Sequence, residues 1–141
     1  MTKRIIVCGG RNYSRQPLVD LVLSAVTDEG DVIVTGGAPG ADSLAKAWAE
    51  SHGRDVETHK AKWDLYGLGA GPIRNRFMAS LGADKVVAFK GGAGTCDMVK
   101  VSFLHRIPVF LPCDNVPGIV ISPQSWDQFE SMLNPWTFAS W

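Results

Sequence analysis

No apolar run in this sequence comes near the ~20 residues that a membrane-crossing helix needs; the apolar stretches are strand-sized, such as Val86-Val87-Ala88-Phe89. No membrane partner is expected. The opening Met1-Thr2-Lys3-Arg4 passes straight into Ile5-Ile6-Val7-Cys8 without a leader pattern, so a cytoplasmic protein is expected. Net charge is missing too, since 14 Lys and Arg balance 14 Asp and Glu. A neutral chain has no general electrostatic hold on a nucleic-acid backbone, and the lack of a basic stripe argues against DNA binding. Cysteine is scarce and odd in number: Cys8, Cys96 and Cys113 lack metal-ligand spacing and read as reduced thiols. His52, His59 and His105 are scattered, and no nucleophile–His–acid set is visible. Neither a metal nor a resident cofactor is expected.

Glycine, by contrast, is plentiful, with 15 in 141 residues, and much of it follows the apolar runs. Ile5 to Cys8 reads as a buried strand ended by Gly9-Gly10, and Val32 to Val34 as a second strand that runs into TGGAPGAD, Thr35 to Asp42. The alternating Asp55 to Lys60 reads as an edge strand. Val86 to Phe89 is a fourth strand before KGGAGT, Lys90 to Thr95, and Ile107 to Leu111 a fifth. Helices are expected over Pro17 to Thr27, from Leu44 to near His52, from Pro72 to Ser80 and from Thr95 to Leu104. Ala61 to Gly71 reads as a glycine-punctuated loop. Strands alternating with helices call for right-handed crossovers and a Rossmann-like α/β three-layer sandwich. The sheet is expected to be mostly parallel and five-stranded, in the order 3-2-1-4-5. One domain covers 1–141, with an aromatic-rich extension carrying Trp126, Phe129, Trp136, Phe138 and Trp141; Gly118 to Ser122 has the composition of a further strand, and Pro123 to Leu133 of a short helix. That extension fits either a homo-oligomer contact or a fold-back onto its own subunit.

In such a sheet the glycine turns share the rim at the carboxyl ends of the strands, where ligands bind. Unpaired amides and helix N-termini gathered there suit a phosphate. The expected ligand-binding residues are Gly9, Gly10 and Arg11 after the first strand and Gly36, Gly37, Gly40 and Asp42 after the second. Trp63, Arg74 and Asn75 come from the third crossover, and Gly91, Gly92, Gly94 and Thr95 from the fourth strand's turn. Arginine can grip a phosphate with two parallel hydrogen bonds. Arg74, placed in the first turn of its helix, would oppose the dipole unless an anion sat beside it. Lys60, Lys62 and Lys90 map to the same rim, where Lys60 and Lys62 serve equally as solvated loop charges. Asp42 and Asp97 follow glycines at helix starts and either cap free amides or meet a ribose hydroxyl. Trp63 and Tyr66 are placed to stack on a base or to pack on a neighbour.

GGRNY, TGGAPGADSLA, AKWDLYGLGAGPIRNRFM and KGGAGTCDM, in that order from about Lys3 to Leu111, resemble the YspA-like branch of the SLOG superfamily, the Rossmann-like group named for Smf/DprA and the LOG enzymes. The resemblance implies a nucleotide or nucleotide-derived small-molecule partner on the rim, and often a homo-dimer or higher homo-oligomer. LOG enzymes hydrolyse the N-glycosidic bond of nucleoside 5′-monophosphates and carry Arg-Lys-x-x-Met with Pro-Gly-Gly-x-Gly-Thr-x-x-Glu. Arg74, Met78, Gly91, Gly92, Gly94 and Thr95 match, whereas Asn75 replaces the lysine, Lys90 the proline and Met98 the glutamate. Asp97, one residue earlier and ~100° around the helix, is the remaining acid. A nucleotide binder is thus the first expectation. A phosphoribohydrolase with Asp97 and Arg74 as catalytic residues is the second, and single-stranded DNA binding of the Smf/DprA kind the third.

Overall fold

The computed structural model describes residues 2–112 and a strand at 119–121. Strands β1 (Arg4–Cys8), β2 (Val32–Thr35), β3 (Asp55–Thr58), β4 (Lys85–Ala88), β5 (Val109–Leu111) and β6 (Ile119–Ile121) form one sheet in the order β3-β2-β1-β4-β5-β6. The expected order 3-2-1-4-5 is present and parallel, and β6 extends it antiparallel to β5, with Phe110 opposite Val120. The register sets Ile5 between Ile33 and Lys85, and Ile6 between Val34 and Val86.

Helices α1 (Gln16–Val26) and α2 (Ala41–Ser51) cover one face, and α4 (Ala70–Ser80) and α5 (Ala93–Leu104) the other. Period-two alternation sorts the strand residues between these layers. Ile5, Val7, Ile33, Val87 and Phe89 pack with Val19, Leu23 and Trp48. Ile6, Val34, Val86 and Ala88 pack with Met78, Met98 and Val99. With both faces covered, the strands need continuous apolar runs, which is what the sequence supplies. Phe89 is wholly buried, a burial that stabilises the fold by roughly 1.5–3 kcal/mol. Trp48 is also buried, and its indole N–H finds Ser24 Oγ at 3.2 Å.

Three local expectations are corrected. The segment from Ala61 to Gly71 is not a loop: α3 (Trp63–Tyr66) and a 3₁₀ turn (Gly67–Gly69) lead into α4. The glycines obscured its helical content, because glycine marks turns without forbidding short helices. Helix α4 begins two residues before Pro72, which is tolerated because the first-turn amides have no intrahelical acceptor to lose. Arg74 therefore sits in the second turn, and the dipole argument for it falls away. Helix α5 likewise starts at Ala93, so Gly94 and Thr95 are helical. The short helix expected at Pro123 to Leu133 and the aromatic extension lie outside the described residues.

Candidate functional site

Strand order reverses between β1 and β4, and the turns after β1, β2 and β4 meet there. Gly10 joins all three. Its N–H donates to the Lys90 carbonyl at 2.9 Å, and its carbonyl accepts from Ala41 N–H at 3.1 Å and Tyr13 N–H at 3.2 Å. Asp42 Oδ2 closes the second turn by accepting from the Gly36 and Ala38 amides, both at 3.1 Å. Side chains would wedge these turns apart: a Cβ on Gly40, whose φ is +79°, would stand 2.1 Å from the Gly10 carbonyl oxygen. A Cβ on Gly91 would stand 2.2 Å from Thr95 Oγ1 and 2.7 Å from Gly10 N. Gly92 and Gly94 differ, since nothing lies within 4 Å of a Cβ built there.

Beyond this knot opens a cleft of about 470 Å³. Its wall at the start of α5 holds Gly92, Gly94 and Thr95, and the opposite wall Trp63, Arg74 and Asn75. Among the described residues no side chain caps α5, and its first turn has no acidic residue. The first bond of its ladder runs from Cys96 N–H to the Gly92 carbonyl at 3.0 Å, so the amides of 93–95 stand ahead of it. Those amides and the positive end of the helix dipole attract an anion. Arg11 places its guanidinium carbon 5.5 Å from the centre of the Trp63 ring at the cleft's edge.

Arg74 is anchored by oxygens other than carboxylates. Its Nη1 donates to the carbonyls of Gly36 at 3.0 Å and His59 at 3.3 Å, and its Nε donates to Asn75 Oδ1 at 3.0 Å. Gly36 leaves the space, since a Cβ there would stand 2.1 Å from Nη1. Burial lowers the Arg74 pKa, opposed chiefly by the charge of Asp42, yet a guanidinium keeps its proton at neutral pH. The bond to Asn75 Oδ1 turns the Asn75 amide nitrogen towards Asp97 Oδ2 at 2.9 Å and the Gly94 carbonyl at 3.3 Å. A buried neutral amide thus links the cation to a half-buried carboxylate. Burial raises the pKa of Asp42, against the Ala38 amide and Arg74, which favour its charged form. Burial also pushes the Cys8 thiol far up, so it lines the cleft as a neutral group.

Of the expected residues, the cleft gathers Gly9, Gly10, Arg11, Asp42, Trp63, Arg74, Asn75, Gly92, Gly94, Thr95 and Asp97. Gly36, Gly37, Gly40 and Gly91 stand behind it, their missing side chains making room for Arg74, for Thr58 and Lys60, for Gly10 and for Thr95 respectively. Met98, at the LOG glutamate position, is 1% exposed and belongs to the core, although it reaches the cleft floor. Lys60 and Lys62 line a separate pocket, and Lys90 a groove beside Asn12 and Ser14. Gly71 and Pro72, at the start of α4, also line the cleft, and so do Cys8, Ala38, Leu68 and Ala93, which were not foreseen. Gly71 carried a readable signal in its glycine–proline junction; a Cβ there would lie in ordinary contact with the Trp63 ring, at 3.4 Å.

The comparisons with known proteins bear on this arrangement. Residues 3–66 match the model of the YspA, cpYpsA-related SLOG family, the part of the chain that holds the first two glycine turns and Trp63. The Gene 61 protein of Mycobacterium phage D29 is 34% identical in an alignment 120 residues long that covers 76% of this chain and 94% of that protein. The X-ray structure of TM1055 superposes with a TM-score of 0.55 at 18% identity, covering 76% of this chain and 72% of that one, a likeness of fold. The chain belongs to the YspA, cpYpsA-related SLOG family.

Proposed function

We propose that this protein binds a nucleotide or nucleotide-derived ligand, a nucleoside phosphate or an ADP-ribose-like molecule, in the cleft between α4 and α5. The observation that carries the reading is the uncapped start of α5, open at Gly92 and Gly94, facing Arg74 across one cleft. The phosphate sits on the amides of 93–95 and takes a charge-assisted hydrogen bond from Arg74. Trp63, steadied by Arg11, offers an aromatic face to the base. Asp97 and Asn75 orient the ribose hydroxyls. Isothermal titration with AMP, ADP-ribose and NAD tests this. Saturable binding that weakens at least tenfold in Arg74→Ala supports it, and silence across the panel at millimolar ligand overturns it.

One observation favours a second reading. The Asp97 carboxylate stands in the cleft with only Oδ2 engaged, by Asn75, among the described hydrogen bonds. Oδ1 is then available to stabilise a positively charged sugar or to take a proton from the water whose oxygen replaces the departing base at the sugar carbon, as an N-glycosidic phosphoribohydrolase requires. Chromatography for released base separates the readings. Turnover by the wild type that is lost in Asp97→Asn establishes the enzyme; binding without release by either protein leaves the first reading alone.

A further inference from the structure

On the far side of Arg74 lies a second pocket, of about 440 Å³. Arg74 lines both cavities, so they adjoin at this residue. Resting on the nucleotide reading of the first cleft, we infer that the two cavities form one bipartite site for a dinucleotide, two nucleotide halves joined through their phosphates, whose second half lies against Lys60, Lys62 and Tyr66.

Charge is the first reason. Lys60 and Lys62 lie in the short connection between β3 and α3, and neither forms an ion pair among the described residues. Among the described residues no carboxylate lines the pocket, and Glu57, which reaches His59 on its wall, is itself paired with Arg4, so two ammonium groups and the flank of Arg74 leave the pocket positive. Such a concavity favours an anion, and the phosphate bridge is the anionic part of a dinucleotide that would pass Arg74.

Apolar surface is the second reason. Tyr66, Phe77 and Ile73 also line the pocket and remain 48%, 52% and 41% exposed. Three large apolar groups half in water beside a cationic rim suit the two sides of a second ring, which has a flat face to stack and a polar edge to hydrate. A mononucleotide in the first cleft would leave all of this unused.

Trp63 and Tyr66 give the arrangement its internal logic. They stand at opposite ends of the four-residue α3, Trp63 in the first cavity and Tyr66 in the second. Each half of a dinucleotide thus meets one aromatic ring, with Arg74 between them. The WDLY segment carries both contacts in a single turn of helix.

The test compares AMP with NAD by isothermal titration on the wild type, the Lys60→Ala/Lys62→Ala double variant and Tyr66→Ala. The expected result is NAD at least tenfold tighter than AMP in the wild type. That preference should largely vanish in the double variant and in Tyr66→Ala, while AMP affinity stays within twofold. Equal AMP and NAD affinity in the wild type overturns the bipartite site and leaves the nucleotide reading standing. An NAD preference untouched by both variants likewise overturns it. Failure of the wild type to bind either ligand defeats both readings together.

Discussion

Arg74 makes three hydrogen bonds to uncharged oxygens, so its guanidinium is held in place without a neutralising salt bridge among the described residues. A positioned cation that keeps its charge is what recognition of an anion requires. Lysine cannot reproduce it, because one ammonium cannot span Gly36, His59 and Asn75 in that geometry. Arg74→Lys should therefore weaken AMP binding about tenfold, measured by titration, corresponding to ~1.4 kcal/mol of the strength of a charged hydrogen bond. A change under twofold would show that only net charge matters. Away from the cleft, Glu57 takes a two-pronged bond from Arg4 and a second from His59 Nε2 at 2.6 Å, and these partners pull its pKa down to about 2. A depressed carboxylate pKa stabilises the fold above the unfolded value, ordinarily 4.5 for glutamate, and the contribution is lost as pH falls towards 2. Urea midpoints should therefore fall more steeply between those pH values in the wild type than in Glu57→Gln; parallel slopes would remove Glu57 from the acid response.

Helices α2 and α5 both follow a strand and a glycine turn, and neither has a side-chain cap, but their starts differ in what surrounds them. In α2 the Ala41 amide is taken by the Gly10 carbonyl, and Asp42 holds the amides of the preceding turn. In α5 no acceptor takes the amides of 93–95 in this way among the described residues, and its first turn has no acidic residue. TGGAPGAD and KGGAGT look alike as sequences, so reading both as phosphate-facing was natural. What separates them is contact with a third turn 30 or more residues away in sequence, which no local pattern records. The glycines divide along the same line. Gly91→Ala drives a methyl into Thr95 Oγ1 and Gly10 N and should cost ~1–3 kcal/mol by denaturant unfolding. Gly92→Ala meets no atom within 4 Å, so stability should change by no more than about 0.5 kcal/mol, while the methyl at the cleft mouth reduces AMP affinity severalfold. Equal destabilisation by both substitutions would contradict this division of roles.

At the scale of the whole molecule, the topology was legible because a sheet covered on both faces demands unbroken apolar strands separated by helices. Ile5 to Cys8, Val32 to Val34 and Val86 to Ala88 meet that demand almost without a polar interruption. The convergence of Arg11, Arg74 and the α5 turn followed from the reversal between β1 and β4. The short α3 escaped notice because four residues are too few for a 3.6-residue period to declare itself, and the glycines around it mimic a loop. The Arg74–Asn75–Asp97 chain was also invisible, since adjacency on α4 does not reveal which atoms of Asn75 turn towards α5. Yet everything proposed for function passes through one place, the amides at the start of α5 opposite that chain. An amide-resolved NMR titration of the protein with AMP observes that place directly. Residues 92–95 and the Arg74 Nε–H should show the largest saturable shifts, with smaller ones along α1 and β6. Saturating AMP that left those signals in place, or that moved only signals remote from the cleft, would contradict the nucleotide site.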